Sequence, residues 1–205
     1  MSVHSHDHLH SAELSNRVKA LVARLERANL TTESELDEYV ETFLRGSRRE
    51  NAYRVVAHAW VDRQYKARLL ADGNAALTEL GIDLSHWAPV KLRVVENTPE
   101  VHNLIVCTLC SCYPIALLGP SPKWYKSEAY RAKAVRDPRG VLAEFGVTLP
   151  RETEIRVWDS TAETRFIVVP MRPAGTENWS EERLTGLVTR DSMVGTGLPK
   201  PATEG

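Results

Sequence analysis

Apolar residues recur at two different spacings along this chain, and the change from one to the other divides it. Leu14, Val18, Leu21, Val22 and Leu25 follow the period of a helix that starts at Ala12, and Asn29-Leu30-Thr31 breaks it. Thr32 with Glu35 three residues on has the form of a capping box, and Leu36, Tyr39, Val40 and Phe43 then supply a second stripe. After Gly46-Ser47, a third helix holds Val55, Val56, Ala59 and Trp60. Residues 62–80 are rich in alanine, leucine and charges, with Leu69, Leu70, Ala76, Leu77 and Leu80 available for burial. Residues 12–85 therefore read as a helical arm. Stripes of this kind serve core packing or contact with a partner.

Near Pro89 the texture changes. Lys91-Leu92-Arg93-Val94-Val95 alternates with period two, and residues 101–106 form a short apolar run rich in β-branched side chains. Two further strands are expected at 154–158 and 165–169, with Asp159-Ser160 in the turn of a hairpin between them and Pro170 closing the second. Asp159 and Arg165 flank that hairpin and are placed for a structural ion pair. Between the strand pairs, Tyr113-Pro114 and Gly119-Pro120-Ser121-Pro122 mark irregular backbone, and helices are expected at 127–135 and 138–145. Ser180 caps a last helix, with Trp179 and Leu184 as a hydrophobic staple and Leu184, Leu187 and Val188 as its buried face. From Gly195 the chain reads as frayed. The fold class is α+β: a helical arm, then a layered α/β domain over residues 86–197, with 1–11 a disordered histidine-rich tail and 198–205 a frayed end.

Composition narrows the function. Lysine plus arginine (26) nearly cancels aspartate plus glutamate (27), so no global field recruits nucleic acid or an anionic membrane. No apolar run approaches the roughly 20 residues of a membrane span, and the N-terminus lacks the apolar core of a secretory signal, so a cytoplasmic location is expected. His4, His6, His8 and His10 alternate along the N-terminal tail, which reads either as a solvated terminus or as a loose metal-gathering segment. His58 is expected to pack within its helix, and Tyr65 is a candidate for a subunit interface.

All three cysteines fall between positions 107 and 112. A disulfide scaffold would spread an even number along the chain. The run Cys107-Thr108-Leu109-Cys110-Ser111-Cys112 instead offers three sulfurs on one short loop at the end of a strand. Three is awkward for structural zinc and for an iron–sulfur cluster, which both want four side chains. His102 is the nearest other donor and lies inside the expected strand. The main-chain amides of Ser111 and Cys112 would complete a claw if deprotonated. Spacing alone leaves a redox pair or inert thiols open beside a metal site.

The segment Val106-Cys107-Thr108-Leu109-Cys110-Ser111-Cys112-Tyr113-Pro114 closely resembles the metal motif of nitrile hydratase α subunits and of the related thiocyanate hydrolase γ subunits. The likeness continues through Lys123-Trp124-Tyr125-Lys126-Ser127, Tyr130-Arg131, Pro138-Arg139-Gly140-Val141-Leu142, Ile155-Arg156-Val157-Trp158-Asp159-Ser160, Arg172-Pro173-Ala174-Gly175-Thr176-Glu177 and Val188-Thr189-Arg190-Asp191-Ser192. Upstream it takes in Ala59-Trp60-Val61-Asp62 and Glu96-Asn97-Thr98, for a coverage of about residues 12–197.

The resemblance implies that Cys107, Cys110 and Cys112 are the sulfur ligands of a non-corrin Co(III) ion, one per chain, with the backbone amides of Ser111 and Cys112 as further ligands. One position is left for water or substrate. Threonine after the first cysteine goes with cobalt in this family and serine with iron, so Thr108 points to cobalt. The implied oxidation is sulfinate at Cys110 and sulfenate at Cys112, held by arginines of a β subunit. The chain is then half of an active site, in an αβ heterodimer assembled as α2β2 and loaded by an activator protein, with residues 12–85 in contact with the partner. The implied reaction is hydration of a nitrile to an amide, with Cys112, Cys110 and Ser111 at the chemistry. The nucleophile is either water activated by the metal or the sulfenate oxygen on Cys112.

One departure bears on substrate. Where the family has a tryptophan that walls the pocket, followed by proline, this chain has Ile115 and Ala116. A smaller aliphatic wall predicts an altered nitrile preference, toward bulkier substrates. Thiocyanate hydrolysis by a γ-like subunit, or a non-catalytic zinc- or cobalt-binding module, are the alternative readings.

Overall fold

The computed structural model describes the backbone of residues 4–46, 48–83, 90–109 and 112–202, and the side chains of these except 4–11 and 43–46. The chain divides into two compact units, Met1–Gly46 and Ser47–Gly205. The first holds α1 (His4–Arg27) and α2 (Glu33–Gly46). Thr32 opens α2 with the expected capping box: its hydroxyl accepts from Glu35 N at 3.2 Å, and Glu35 Oε2 accepts from Thr32 N at 2.8 Å. Helix α1 begins at His4, so it runs through most of the histidine-rich stretch set apart as a tail.

The second unit begins with α3 (Arg49–Val61), α4 (Arg63–Ala71) and α5 (Gly73–Glu79). These three do not belong to an arm. Val55, Val56, Leu69 and Leu77 are fully buried in one core with the strands. Short polar residues set the breaks between them: Asp62 accepts from Gln64 N and Tyr65 N to start α4, and Asp72 accepts from Ala75 N to start α5. Gly73 lets α5 approach the first strand, because a Cβ there would lie 2.8 Å from the Leu92 carbonyl oxygen. Tyr65, a candidate for a subunit interface, is instead buried within the unit, its hydroxyl donating to Ala76 O at 3.2 Å. Burial pushes its phenol pKa up to about 12. His58 Nδ1 lies 2.8 Å from Glu181 Oε2, which ties α3 to α10 (Glu181–Thr185).

Four strands follow the expected segments: β1 (Lys91–Glu96), β2 (Val101–Val106), β3 (Glu154–Asp159) and β4 (Thr164–Val169). Their pairing differs from the expected hairpin. β1 pairs with β4 and β2 with β3, both parallel. Runs such as Leu104-Ile105-Val106 and Ile167-Val168-Val169 are buried throughout, which suits parallel strands covered on both faces and not a half-solvated hairpin. Parallel pairing needs a long crossover, and β2 reaches β3 through α6 (Ile115–Leu118), α7 (Lys123–Lys126), α8 (Glu128–Arg136) and α9 (Pro138–Glu144). The first two of these helices had no counterpart among the expected elements, while Tyr113-Pro114 and residues 119–122 are non-helical as expected. Ser127 and Asp137 cap the other two, with Pro138 in the first turn of α9.

The described residues from Gly195 on are packed against the unit, not frayed. Ser180 caps α10 by accepting from Arg183 N, and a further helix, α11 (Arg190–Val194), follows. Gly195 ends α11 at φ +88° and is packed so closely that a Cβ would meet Asn103 O at 1.9 Å. Thr196 is buried, and Lys200 N donates to Leu187 O at 2.8 Å.

Candidate metal centre

The cysteine loop leaves the carboxyl end of β2, beside the carboxyl end of its parallel neighbour. Val106 is paired in register with Asp159, the last residue of β3. Asp159 Oδ1 therefore accepts from Thr108 N at 2.9 Å, and Oδ2 accepts from the Thr108 hydroxyl. Arg131, on α8, donates to Thr108 O at 3.3 Å. The residue after the first cysteine is thus held by its amide, hydroxyl and carbonyl. The expected Asp159–Arg165 ion pair does not form: Arg165 donates to the carbonyls of Thr161 and Ala162. Once β3 pairs with β2, the Asp159 carboxylate belongs to the loop.

Cys107 and Cys112 are 0% and 8% exposed. Cys110 and Ser111, both expected at the metal, lie outside the described residues. The far end of the loop is held by a phenol. Tyr125, on α7, donates to Cys112 O at 3.0 Å. Its ring meets Tyr113 edge to face at 4.9 Å. Trp124, Tyr130 and Phe145 extend this aromatic layer, and Tyr130 donates to Ile105 O at 2.6 Å. Burial raises the phenols of Tyr113, Tyr125 and Tyr130 well above their ordinary value, so each keeps its proton at neutral pH, and Tyr125 and Tyr130 act as donors. Among the described residues, the buried Tyr113 hydroxyl has no hydrogen-bond partner.

His102, the one other donor near the loop in sequence, is committed elsewhere. Its Nε2 donates to Gly195 O at 2.7 Å, and Asn97 Nδ2 donates to its Nδ1 at 3.2 Å. A carbonyl only accepts, so the ring is the neutral Nε2–H tautomer with both nitrogens engaged. Burial depresses its pKa, with the bond to Gly195 opposing in part. Ile115 opens α6 and packs, partly buried, against the core.

The donor set fits a thiophilic metal ion. Two buried cysteines sit on one loop whose first and last main-chain segments are fixed by hydrogen bonds, and among the described residues no imidazole competes for the place. Asp159, Arg131 and Tyr125 did not stand out as site residues in the sequence. The available signal was Asp159 at the carboxyl end of a strand, the end at which open α/β sheets present their sites.

A family model described as "Nitrile hydratase, alpha chain" matches residues 12–197. The low-molecular weight cobalt-containing nitrile hydratase subunit alpha of Rhodococcus rhodochrous is 49% identical over 187 residues, covering 91% of this chain and 89% of that one. Thiocyanate hydrolase subunit gamma of Thiobacillus thioparus is 46% identical over 159 residues, covering 73% and 65%. Among solved structures, a double mutant of the Fe-type nitrile hydratase from Comamonas testosteroni Ni1 superposes with a TM-score of 0.87 at 40% identity, covering 95% of each chain.

Proposed function

This chain belongs to the nitrile hydratase α-chain family, and we propose that it is the metal-carrying subunit of a cobalt-type enzyme that hydrates nitriles to amides together with a β subunit. The observation that carries this reading is the loop Cys107–Cys112, anchored at Thr108 by Asp159 and at Cys112 by Tyr125. Cys107, Cys110 and Cys112 would hold the ion through sulfur, and Ser111 and Cys112 through their backbone nitrogens. When bound, such an ion supplies Lewis acidity, which polarises a nitrile or lowers the pKa of a water.

The remaining roles fall to the chain's own groups. Asp159 and Arg131 keep the loop's entry in one conformation, so its donors converge without reorganisation. Tyr125 stops the Cys112 peptide from turning. Cys110 as sulfinate and Cys112 as sulfenate, with Ser111 beside them, line the reacting position. Ile115 sets the pocket wall. Thr108 and the cobalt-containing relative support cobalt over iron. On α1, Leu14, Val18 and Leu21 are 62%, 52% and 55% exposed, an apolar face suited to a partner subunit in an αβ or α2β2 assembly. A metal-loading activator and a cytoplasmic location complete this reading. Among the described residues no helix is long and apolar enough to cross a membrane.

Thiocyanate hydrolysis is the second reading, favoured by the 46% identity to the gamma subunit. The nitrile reading stands ahead because the nitrile hydratase relative is matched over 91% of this chain and 89% of its own length, against 73% and 65%. Metal analysis with intact mass on the purified complex, followed by assays on nitriles and thiocyanate, tests the proposal. One cobalt per chain, three added oxygen atoms and amide formation are expected. A zinc protein with unmodified thiols and no turnover would overturn it.

A further inference from the structure

Tyr113 is 4% exposed, and among the described residues its buried hydroxyl has no hydrogen-bond partner. A phenol that gives up water without a partner forfeits the energy of that bond, so such a group marks a place where something polar is bound. Burial raises its pKa, and the charges acting on it next are Arg190, Asp191 and Arg49, followed by the Tyr53 phenol. These residues stand at the starts of α3 and α11, which puts both helix starts beside the hydroxyl. Arg49 lies along the end of α6, its Nε 3.2 Å from where a Cβ on Gly119 would stand, so the glycine leaves room for the guanidinium. Helix α3 begins there without a side-chain cap, whereas Asp62 and Ser127 cap α4 and α8. Arg48 and Glu50, both exposed, offset each other in charge. Arg190 donates through Nε to Asp191 Oδ1 at 3.1 Å, which leaves its outer nitrogens outside that bond.

We propose that the Tyr113 hydroxyl, Arg49 and Arg190 form a binding site for a carboxylate. Two guanidinium groups against Asp191 leave one net positive charge, and the uncapped amino end of α3 adds partial positive charge. A singly charged oxyanion balances this, whereas a phosphate dianion would set a second negative charge beside Asp191. The phenol and both guanidinium groups can donate to a carboxylate, which only accepts. The carboxylate belongs either to an Asp or Glu side chain of the β subunit or to a free carboxylic acid. Only the first source rests on the proposed function. Tyr113 directly follows Cys112, so a filled site holds the exit of the cysteine loop beside the bond from Tyr125 to Cys112 O.

The purified complex is the test material, with sodium acetate as the free probe and sodium chloride at equal ionic strength as the control. If the carboxylate is free, acetate raises the Tm of the wild type in a saturable way, and both R49Q and Y113F abolish the rise. If it belongs to the β subunit, acetate changes nothing, and both variants raise the dissociation constant between the subunits by about 10-fold. An acetate response that survives R49Q or Y113F would place the anion elsewhere and overturn the site. So would wild-type association in either variant when acetate has no effect, because a hydroxyl that binds nothing can be removed without loss. Cobalt content is read in the same samples, so a metal-free protein counts against the cysteine-loop reading alone.

Discussion

Asp159 binds Thr108 through both main chain and side chain: one carboxylate oxygen accepts from the amide at 2.9 Å and the other from the hydroxyl. The parallel register sets Asp159 opposite Val106, so a residue 51 positions along the chain fixes the entry to the cysteine loop. Substituting Asp159→Asn keeps the size and removes one acceptor. In the metal-loaded complex, kcat is expected to fall by about 10–100-fold, with a smaller change in KM and with reduced cobalt content. Thr108→Val keeps the amide bond and is expected to be milder. Unchanged cobalt content and kcat in D159N would remove Asp159 from the site.

At the other end of the loop, Tyr125→Phe leaves the Cys112 carbonyl without its buried donor. The expected destabilisation is about 1–3 kcal/mol, read by denaturant unfolding, together with faster loss of metal to a chelator. Tyr130→Phe removes the donor to Ile105 O within β2 and serves as the comparison. It is expected to reduce stability by a similar amount while leaving metal retention nearer the wild type.

Gly195→Ala forces a Cβ against Asn103 O, at a φ that side chains rarely adopt. A loss of about 3 kcal/mol or more is expected, lowering Tm by roughly 6–12 °C in a calorimetric scan. Gly186→Ala, where the nearest atom is 3.4 Å away and φ is −65°, is expected to stay within about 0.5 kcal/mol of the parent.

His102 gives the fold an acid sensitivity. Burial holds its pKa below the ordinary 6.5, so the unfolded chain takes up a proton where the folded chain does not. Its contribution is therefore complete above about pH 6.5 and is lost as pH falls below that value. Tm measured from about pH 7.5 down to 5.5 is expected to fall more steeply for the wild type than for His102→Gln, whose Tm starts lower. Parallel curves would assign the acid sensitivity to other groups.

Ile115 tests the substrate reading. Ile115→Trp is expected to shift the ratio of kcat/KM values for an aromatic and an aliphatic nitrile toward the aliphatic one, by roughly 10-fold, the scale of a few methylenes in an apolar pocket. An unchanged ratio would separate Ile115 from substrate choice.

The local chemistry of the fold was legible from the chain. The capping box at Thr32 and Glu35, the Ser180 cap, the strand segments and the cysteine loop at a strand's end all depend on residues within a few positions of one another. Short helices such as α6 and α7 were not, because Pro114, Gly119 and Pro120 mark a break without showing that one helical turn fits between them. Nor was the packing at Gly195, which rests on His102 and Asn103, some ninety positions away.

The candidate site divides along the same line. Spacing and resemblance propose Cys107, Cys110, Ser111 and Cys112 as ligands, because residues presented by one short loop are a local property. Asp159 was read as a hairpin turn, since period-two alternation marks a strand but is silent on which neighbour it pairs with. Only the tertiary structure set β3 beside β2 in parallel, brought Asp159, Arg131 and Tyr125 to the two ends of the loop, and drew His102 away to Gly195. The proposed ligands are adjacent residues. The hydrogen bonds that hold Thr108 and Cys112 at the two ends of their loop come from strand pairing and from segments far apart in the chain.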